Sequence, residues 1–126
     1  MKFFFQNYFP LLLWLGIIFL FSSVPGGVKN SSPDIWFYAE RKGAHVFEYF
    51  VLALLFVNLL RRYYSKKKLF FLAGFFSLAY AFSDEFHQTF IFGREGKISD
   101  TGIDLIGIIL GLGAVWFFWK NNKKES

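Results

Sequence analysis

Four polar side chains that can form hydrogen bonds, three of them able to exchange protons, lie close together in the stretch Ser83–Phe90, "SDEFHQTF". Asp84 and Glu85 can accept hydrogen bonds, His87 can donate or accept near neutral pH, and the Gln88 amide does both. If the stretch is helical, Asp84, His87 and Gln88 share one face, because positions i, i+3 and i+4 are neighbours, and Glu85 points to its side. This combination is typical of a binding site or an acid–base site.

A second set of the same kind lies earlier, in "RKGAHVFEYF". Lys42, His45, Glu48 and Tyr49 follow the spacing i, i+3, i+6 and i+7, which stacks them on one face of a helix. The pairs His45-x-x-Glu48 and Asp84-x-x-His87 each place an imidazole beside a carboxylate, as in the metal sites of helical bundles. Neither pair matches a specific zinc-enzyme signature.

A third set follows near the C-terminal end. Asp100, Asp104, Gly107 and Gly111 form one helical stripe, in which the two glycines make a GxxxG motif. Such glycines let a neighbouring membrane helix approach closely, and Asp104 would lie beside that contact. The preceding loop, "IFGREGKISD", contains Arg94, which can reach a carboxylate or a ligand.

The composition indicates which kind of element carries these residues. The chain has 126 residues, of which 55% are hydrophobic, including 20 Phe, and its mean hydropathy is +0.38. A single domain of this size cannot cover so much apolar surface with 18% charged residues, so an integral membrane protein is predicted. The absence of cysteine excludes disulfides and thiolate metal sites.

Four apolar segments predict four transmembrane helices. We place them at about residues 8–24, 36–60, 69–90 and 101–119, within one domain that spans residues 1–126. The fold class is therefore an all-α membrane bundle. The first segment is long, contains Trp14 and lacks an evident cleavage site, so we expect a retained helix, with a cleaved signal peptide as the alternative.

The basic residues predict the orientation of this bundle. The N-terminus, the link "RRYYSKKK" and the tail "WKNNKKES" together hold nine of the fourteen basic residues and one of the nine acidic ones. By the positive-inside rule both termini and this link are cytoplasmic. The link is then a topology and anionic-lipid signal rather than a nucleic-acid site. The three polar sets converge on the outer-leaflet side, beside Ser22 and Ser23 at the end of the first helix.

Convergence of so many ionisable residues at one depth predicts a ligand site, since carboxylates facing lipid are costly. Packing between helices is the alternative role for these residues. The candidates for catalysis are His45, Asp84 and Glu85. No cofactor is expected, and a metal bound by His45, Glu48, Asp84 and His87 is kept as an alternative. The predicted ligand-binding residues are Lys42, His45, Tyr49, Asp84, Glu85, Gln88, Arg94, Asp100 and Asp104.

The same stretches resemble the VanZ-like family, small bacterial membrane proteins named for teicoplanin resistance. The similarity covers about residues 20–113 and rests on "RKGAHVFEYFVLALL" and "SDEFHQTFIFGREGKISDTGIDLIGIILG". Phe92 departs from the pattern, since many relatives have Pro there. The positions that match the family motifs are Lys42, His45, Tyr49, Asp84, Glu85, Gln88, Gly93, Arg94, Asp100, Asp104, Gly107 and Gly111.

The resemblance implies a multi-pass protein of the bacterial cell membrane that affects susceptibility to a lipoglycopeptide. Our leading hypothesis is that it binds or shields an amphiphilic or lipid-linked ligand at the outer leaflet. The expected partners are a membrane lipid or a lipid-linked cell-wall intermediate, and a membrane protein partner is possible; no nucleic acid is expected. The alternative is an intramembrane enzyme that acts on a lipid-linked head group through a His/carboxylate site, with or without a metal.

Overall fold

The fold is a bundle of four long helices. The computed structural model describes residues 1–23, 35–90 and 98–125, and within these ranges no strand occurs. A π-helical segment, Phe4–Tyr8, runs directly into α1, Phe9–Ser22, and is followed by α2, Ile35–Leu60, α3, Lys66–Gln88, and α4, Ile98–Glu125. The helices contain four stretches long and apolar enough to cross a membrane: Phe4–Ser22, Lys42–Leu60, Lys66–Gln88 and Thr101–Lys120. The all-α, four-span prediction is therefore confirmed.

Two helices extend further than the apolar pattern indicated. α3 begins at Lys66, inside the basic link, because Ser65 is extended and its carbonyl accepts the first helical bond from Leu69 at 2.7 Å. α4 continues to Glu125, past the last apolar residue. Lys and Glu are good helix formers, and a lysine stem can lie along an apolar surface while its ammonium stays in water. Hydropathy finds the part of a helix inside the membrane rather than its ends.

The closest contact between helices joins α2 and α4 through the two glycines of α4. A methyl group added to Gly107 would collide with the Val46 carbonyl oxygen. One added to Gly111 would lie 2.8 Å from the Phe50 carbonyl oxygen and 3.1 Å from the Ala53 Cβ. The glycines therefore let two helix backbones touch, which is how helices gain van der Waals contact where water does not drive them together.

α3 packs through a stripe of mostly small side chains. Leu69, Ala73, Ser77 and Ala81 recur every four residues, and all four are buried. This spacing places them on one face, so that α3 can lie close to its neighbours over several turns.

α1 is attached to its neighbours by buried apolar side chains, Leu11 and Ile18, and by hydrogen bonds. The Trp14 indole Nε1 donates to the main-chain carbonyl of Glu48 at 2.8 Å, and the Tyr80 hydroxyl donates to the carbonyl of Leu15 at 2.6 Å. At the opposite end of α1, the Asn58 amide donates to the Asn7 side chain at 3.3 Å. The hydropathy pattern places Trp14 within the first apolar segment, and the structure adds its polar contact to α2.

The outer surface of the bundle is apolar. No more than 33% of any of the four apolar windows is buried inside the protein. The exposed side chains are large, with Leu20, Phe71, Phe86 and Phe118 each more than 60% exposed. Contiguous apolar surface on this scale requires a hydrocarbon environment.

The glycine contact predicts a position-specific cost within α4. We expect Gly107→Ala to lower the free energy of unfolding by about 1–3 kcal/mol, because the new methyl forces α2 away. Gly113→Ala is the matched control, since nothing lies within 4 Å of the methyl that it adds. It should be neutral or stabilising by about 0.5–1 kcal/mol. Unfolding in mixed micelles, followed by circular dichroism, measures both. Equal effects of the two substitutions would contradict the contact.

Candidate functional site

Polar side chains from all four helices meet at one end of the bundle. This end contains the last turn of α1, the start of the apolar part of α2, the last turns of α3 and the first turns of α4. Most of these side chains are buried, with exposed fractions of 4% or less for all but one. We use the name polar cluster for Ser22, His45, Tyr49, Asp84, Gln88 and Asp104.

An imidazole–carboxylate pair joins α2 to α4 in this cluster. His45 Nδ1 lies 2.9 Å from Asp104 Oδ1, and the side chains are 16% and 0% exposed. Val46, which touches Gly107, is the next residue after His45, and Gly107 lies one helical turn after Asp104. The glycine contact therefore brings the two side chains within reach of each other. A carboxylate on Nδ1 fixes the orientation of the ring and leaves the edge with Nε2 for other contacts.

A looser network surrounds Asp84 on α3. The hydroxyl of Tyr49 and the amide Nε2 of Gln88 both donate to Asp84 Oδ2, each at 3.5 Å. The same Gln88 nitrogen lies 3.4 Å from Ser22 Oγ, which links α3 to α1. These distances are long for hydrogen bonds, which are usually 2.7–3.2 Å. Tyr49 and Gln88 are therefore gathered around Asp84 through long contacts, and the Ser22 hydroxyl also lies within hydrogen-bonding reach of this carboxylate.

His87 faces α1 rather than the polar cluster. Its Nε2 lies 2.9 Å from Ser23 Oγ, and its ring stacks on Phe19 with the centroids 4.4 Å apart. Of the three residues predicted to share a face, Asp84 and Gln88 therefore point together, and His87 turns toward the neighbouring helix. Its contacts fit the attachment of α1 to α3.

Two glutamates extend the buried polar region beyond the cluster. Glu48 is 8% exposed, and its main-chain carbonyl is the acceptor for Trp14. Glu85 is 6% exposed, although the helical spacing placed it to one side of the Asp84 face. Buried carboxylates on two helices at this end add to the polar character of the site.

Of the other predicted ligand-binding residues, the structure describes the side chain of Lys42 alone. Lys42 is exposed, at the start of the apolar part of α2. Asp100 lies in the first turn of α4, and its side chain is outside the described ones. Arg94, with the rest of residues 91–97, also lies outside the described residues.

The metal alternative gains no support from the described side chains. Among them, no three His, Asp or Glu residues are arranged to hold a metal ion. His45 contacts Asp104 and His87 contacts Ser23, so the two imidazole–carboxylate pairs of the sequence do not converge on one centre. The acid–base pair that does form is His45 with Asp104. The same contact would orient an imidazole that binds a ligand. Nothing in its geometry favours catalysis over binding.

Two aromatic residues position the site without belonging to its motifs. Trp14 and Tyr80 both donate hydrogen bonds to main-chain carbonyls of neighbouring helices. Neither residue is charged or belongs to the spaced polar motifs, so the sequence patterns did not predict these bonds. Their residue types could have predicted an interhelical hydrogen bond, since a Trp or Tyr in an apolar run carries a polar group that needs a partner.

The His45–Asp104 contact predicts an energetic coupling between the two residues. In a double-mutant cycle, His45→Ala and Asp104→Asn should show a coupling energy of about 1–3 kcal/mol, because each substitution breaks the same contact. The readout is unfolding in mixed micelles. His87→Ala with Asp104→Asn is the control and should be additive within about 0.5 kcal/mol, since His87 contacts α1. Additivity of the first pair would contradict the assigned contact.

Comparison with known proteins identifies the family of this chain. The family model described as VanZ/LLP1 matches residues 7–119, which include all four membrane-length helices almost completely and every member of the polar cluster. No curated protein and no solved structure matches the chain. The matched segment covers nearly the whole sequence, and the chain therefore belongs to the VanZ/LLP1 family.

Proposed function

We propose that this protein is a multi-pass protein of the cell envelope that binds the head group of an amphiphilic or lipid-linked ligand through the polar cluster. One observation carries the proposal: six polar side chains from four helices are gathered, mostly buried, at one end of a bundle whose outer surface is apolar. A molecule with a polar head and apolar tails matches both surfaces together.

The cost of burying these groups supports a binding role. Ionisable residues inside membrane proteins are expensive and mark functional sites more often than packing contacts. A bundle that needed only stability would be served by the small-residue packing that α2, α3 and α4 already have. Tyr49 and Gln88 contact Asp84 Oδ2 only at 3.5 Å, so this oxygen and the Gln88 amide can form shorter bonds to a ligand.

The ligand would bind from the outer leaflet. The acid-free basic link between α2 and α3, together with the basic N-terminus and tail, favours a cytoplasmic location for those segments and so an outward position for the polar cluster. Cell-wall intermediates linked to lipid present their head groups on that side. Their tails would remain in the bilayer, against the exposed apolar faces of the helices.

The charges suggest how the head group would be recognised. His45, held by Asp104, and the exposed Lys42 on the same helix supply donors and positive charge. Asp84 and Glu85 supply acceptors, and we include Arg94 and Asp100 of the adjoining segment in the binding residues. Binding of such an intermediate, or of a similar lipid, would shield that molecule from a lipoglycopeptide. Susceptibility to teicoplanin would then be reduced.

This proposal predicts a loss of protection when Asp84 is neutralised. Expressed in a sensitive host, the wild-type protein should lower susceptibility to teicoplanin. Asp84→Asn should return susceptibility to the level of the host alone, because loss of a charged hydrogen-bond acceptor weakens ligand binding by about tenfold or more. Ser83→Ala is the matched control, since Ser83 is exposed on the same turn. It should protect like the wild type.

Two further controls make this result specific. Each variant must be present in membranes at the wild-type level. In the cysteine-free chain, a single cysteine replacing Gly96 should react with an impermeant reagent in intact cells, and one replacing Ser65 should not. Full protection by Asp84→Asn, or the reverse pattern of labelling, would contradict the proposed site.

A further inference from the structure

A separate groove lies between α2 and α4 at the end of the bundle opposite the polar cluster. It has a volume of about 220 Å³ and is lined by Val57, Asn58 and Arg61 of α2 and by Val115, Phe118 and Trp119 of α4, among others. Arg61 is 16 residues beyond His45, so the groove is about 24 Å from the polar cluster along the helix. None of its residues belongs to the site described above.

The groove is lined by apolar side chains together with the polar Asn58 and the basic Arg61. Val57 is buried, Phe118 is 63% exposed and forms an outer wall, and Arg61 is exposed at the end of α2. Lys66 lies beside it, with Nζ 6.0 Å from the centre of the Trp119 ring. Arg61 is therefore the cationic side chain of the lining, and Lys66 is a second cation beside the lining residue Trp119.

The protein itself offers little negative charge to balance this region. No acidic residue occurs between Glu48 and Asp84, or between Asp104 and Glu125. The segments at the end of α2, the start of α3 and the end of α4 contain one acidic residue, Glu125, against eight basic ones: Arg61, Arg62, Lys66, Lys67, Lys68, Lys120, Lys123 and Lys124. This excess of positive charge attracts anions, and the anions concentrated at a membrane surface are the head groups of acidic phospholipids.

We propose that this groove is a binding site for one acidic phospholipid. The lipid phosphate pairs with the Arg61 guanidinium, a planar group suited to phosphate oxygens, and Lys66 lies alongside. The upper part of one acyl chain fills the groove against Val57, Val115 and Phe118. The volume is too small for a whole lipid, so the rest of the chain continues along the outer surface of α2 and α4 in the bilayer.

Arg62 provides a control of the same charge. It is the next residue, also exposed, but its guanidinium stacks on the Phe3 ring, 4.9 Å from the centroid, and it does not line the groove. Phe117 is the corresponding control for Phe118, because it is 56% exposed and does not line the groove. Comparison of Arg61 with Arg62, and of Phe118 with Phe117, therefore distinguishes a specific lipid site from a general attraction of the basic surface to acidic lipid.

Native mass spectrometry of the delipidated full chain, titrated with dioleoyl phosphatidylglycerol or dioleoyl phosphatidylcholine, tests the proposal. The first phosphatidylglycerol should bind about fivefold more tightly than phosphatidylcholine, and Arg61→Gln should remove this preference. Arg62→Gln should keep it within about twofold. Phe118→Ala should weaken the binding of both lipids, and Phe117→Ala should weaken neither.

The proposal is overturned if phosphatidylcholine binds as tightly as phosphatidylglycerol, if Arg61→Gln and Arg62→Gln have equal effects, or if Phe118→Ala binds like the wild type. All four positions are exposed, so the variants should fold, and circular dichroism before titration verifies this. Teicoplanin susceptibility does not enter the readout, so this result is independent of the polar cluster.

Discussion

The close approach of α2 and α4 is the constraint on which the rest of the molecule depends. Gly107 places the backbone of α4 against the Val46 carbonyl, and Gly111 repeats the contact one turn later at Phe50. Because His45 and Asp104 flank this contact, their side chains meet at 2.9 Å and need no further device to align them. Packing in the apolar part of the bundle thus sets the geometry of its polar end. At the far end, side chains of the same two helices line the basic groove.

The bundle is chemically asymmetric along its helices. Eight of its nine acidic residues fall within residues 34–48 and 84–104, and the long intervening apolar and basic stretches contain none. In the fold, the ends of α1 and α3 lie beside the first parts of the membrane-length stretches of α2 and α4. The separation of charge along the sequence therefore becomes a separation between the two ends of the bundle, which we call its poles. One pole gathers buried acceptors and donors, and the other carries exposed cations. An amphiphile is the class of molecule that can engage either pole while its tails stay in the bilayer.

The sequence predicted the number of helices, the family, and the convergence of His45, Tyr49, Asp84, Gln88 and Asp104, because hydropathy and helical spacing are properties of the chain alone. It did not predict the partner of each side chain. The spacing paired His45 with Glu48 and His87 with Asp84, whereas His45 contacts Asp104 and His87 turns to α1, since these choices depend on how neighbouring helices are rotated. The bonds of Trp14 and Tyr80 to main-chain carbonyls leave no pattern in spacing or charge. The start of α3 and the end of α4 were not predicted, because polar residues extend these helices beyond the apolar stretches that hydropathy detects.

The most direct test of the central claim is the identity of lipid that remains bound to the polar cluster after mild extraction. Mass spectrometry of lipids co-purified with the wild-type protein should find a species with a large polar head in near-stoichiometric amount. Asp84→Asn should lose that species, and Arg61→Gln, at the opposite pole, should retain it. If the wild type and Asp84→Asn carry the same lipids in the same amounts, the polar cluster does not bind an amphiphilic ligand and the account is wrong.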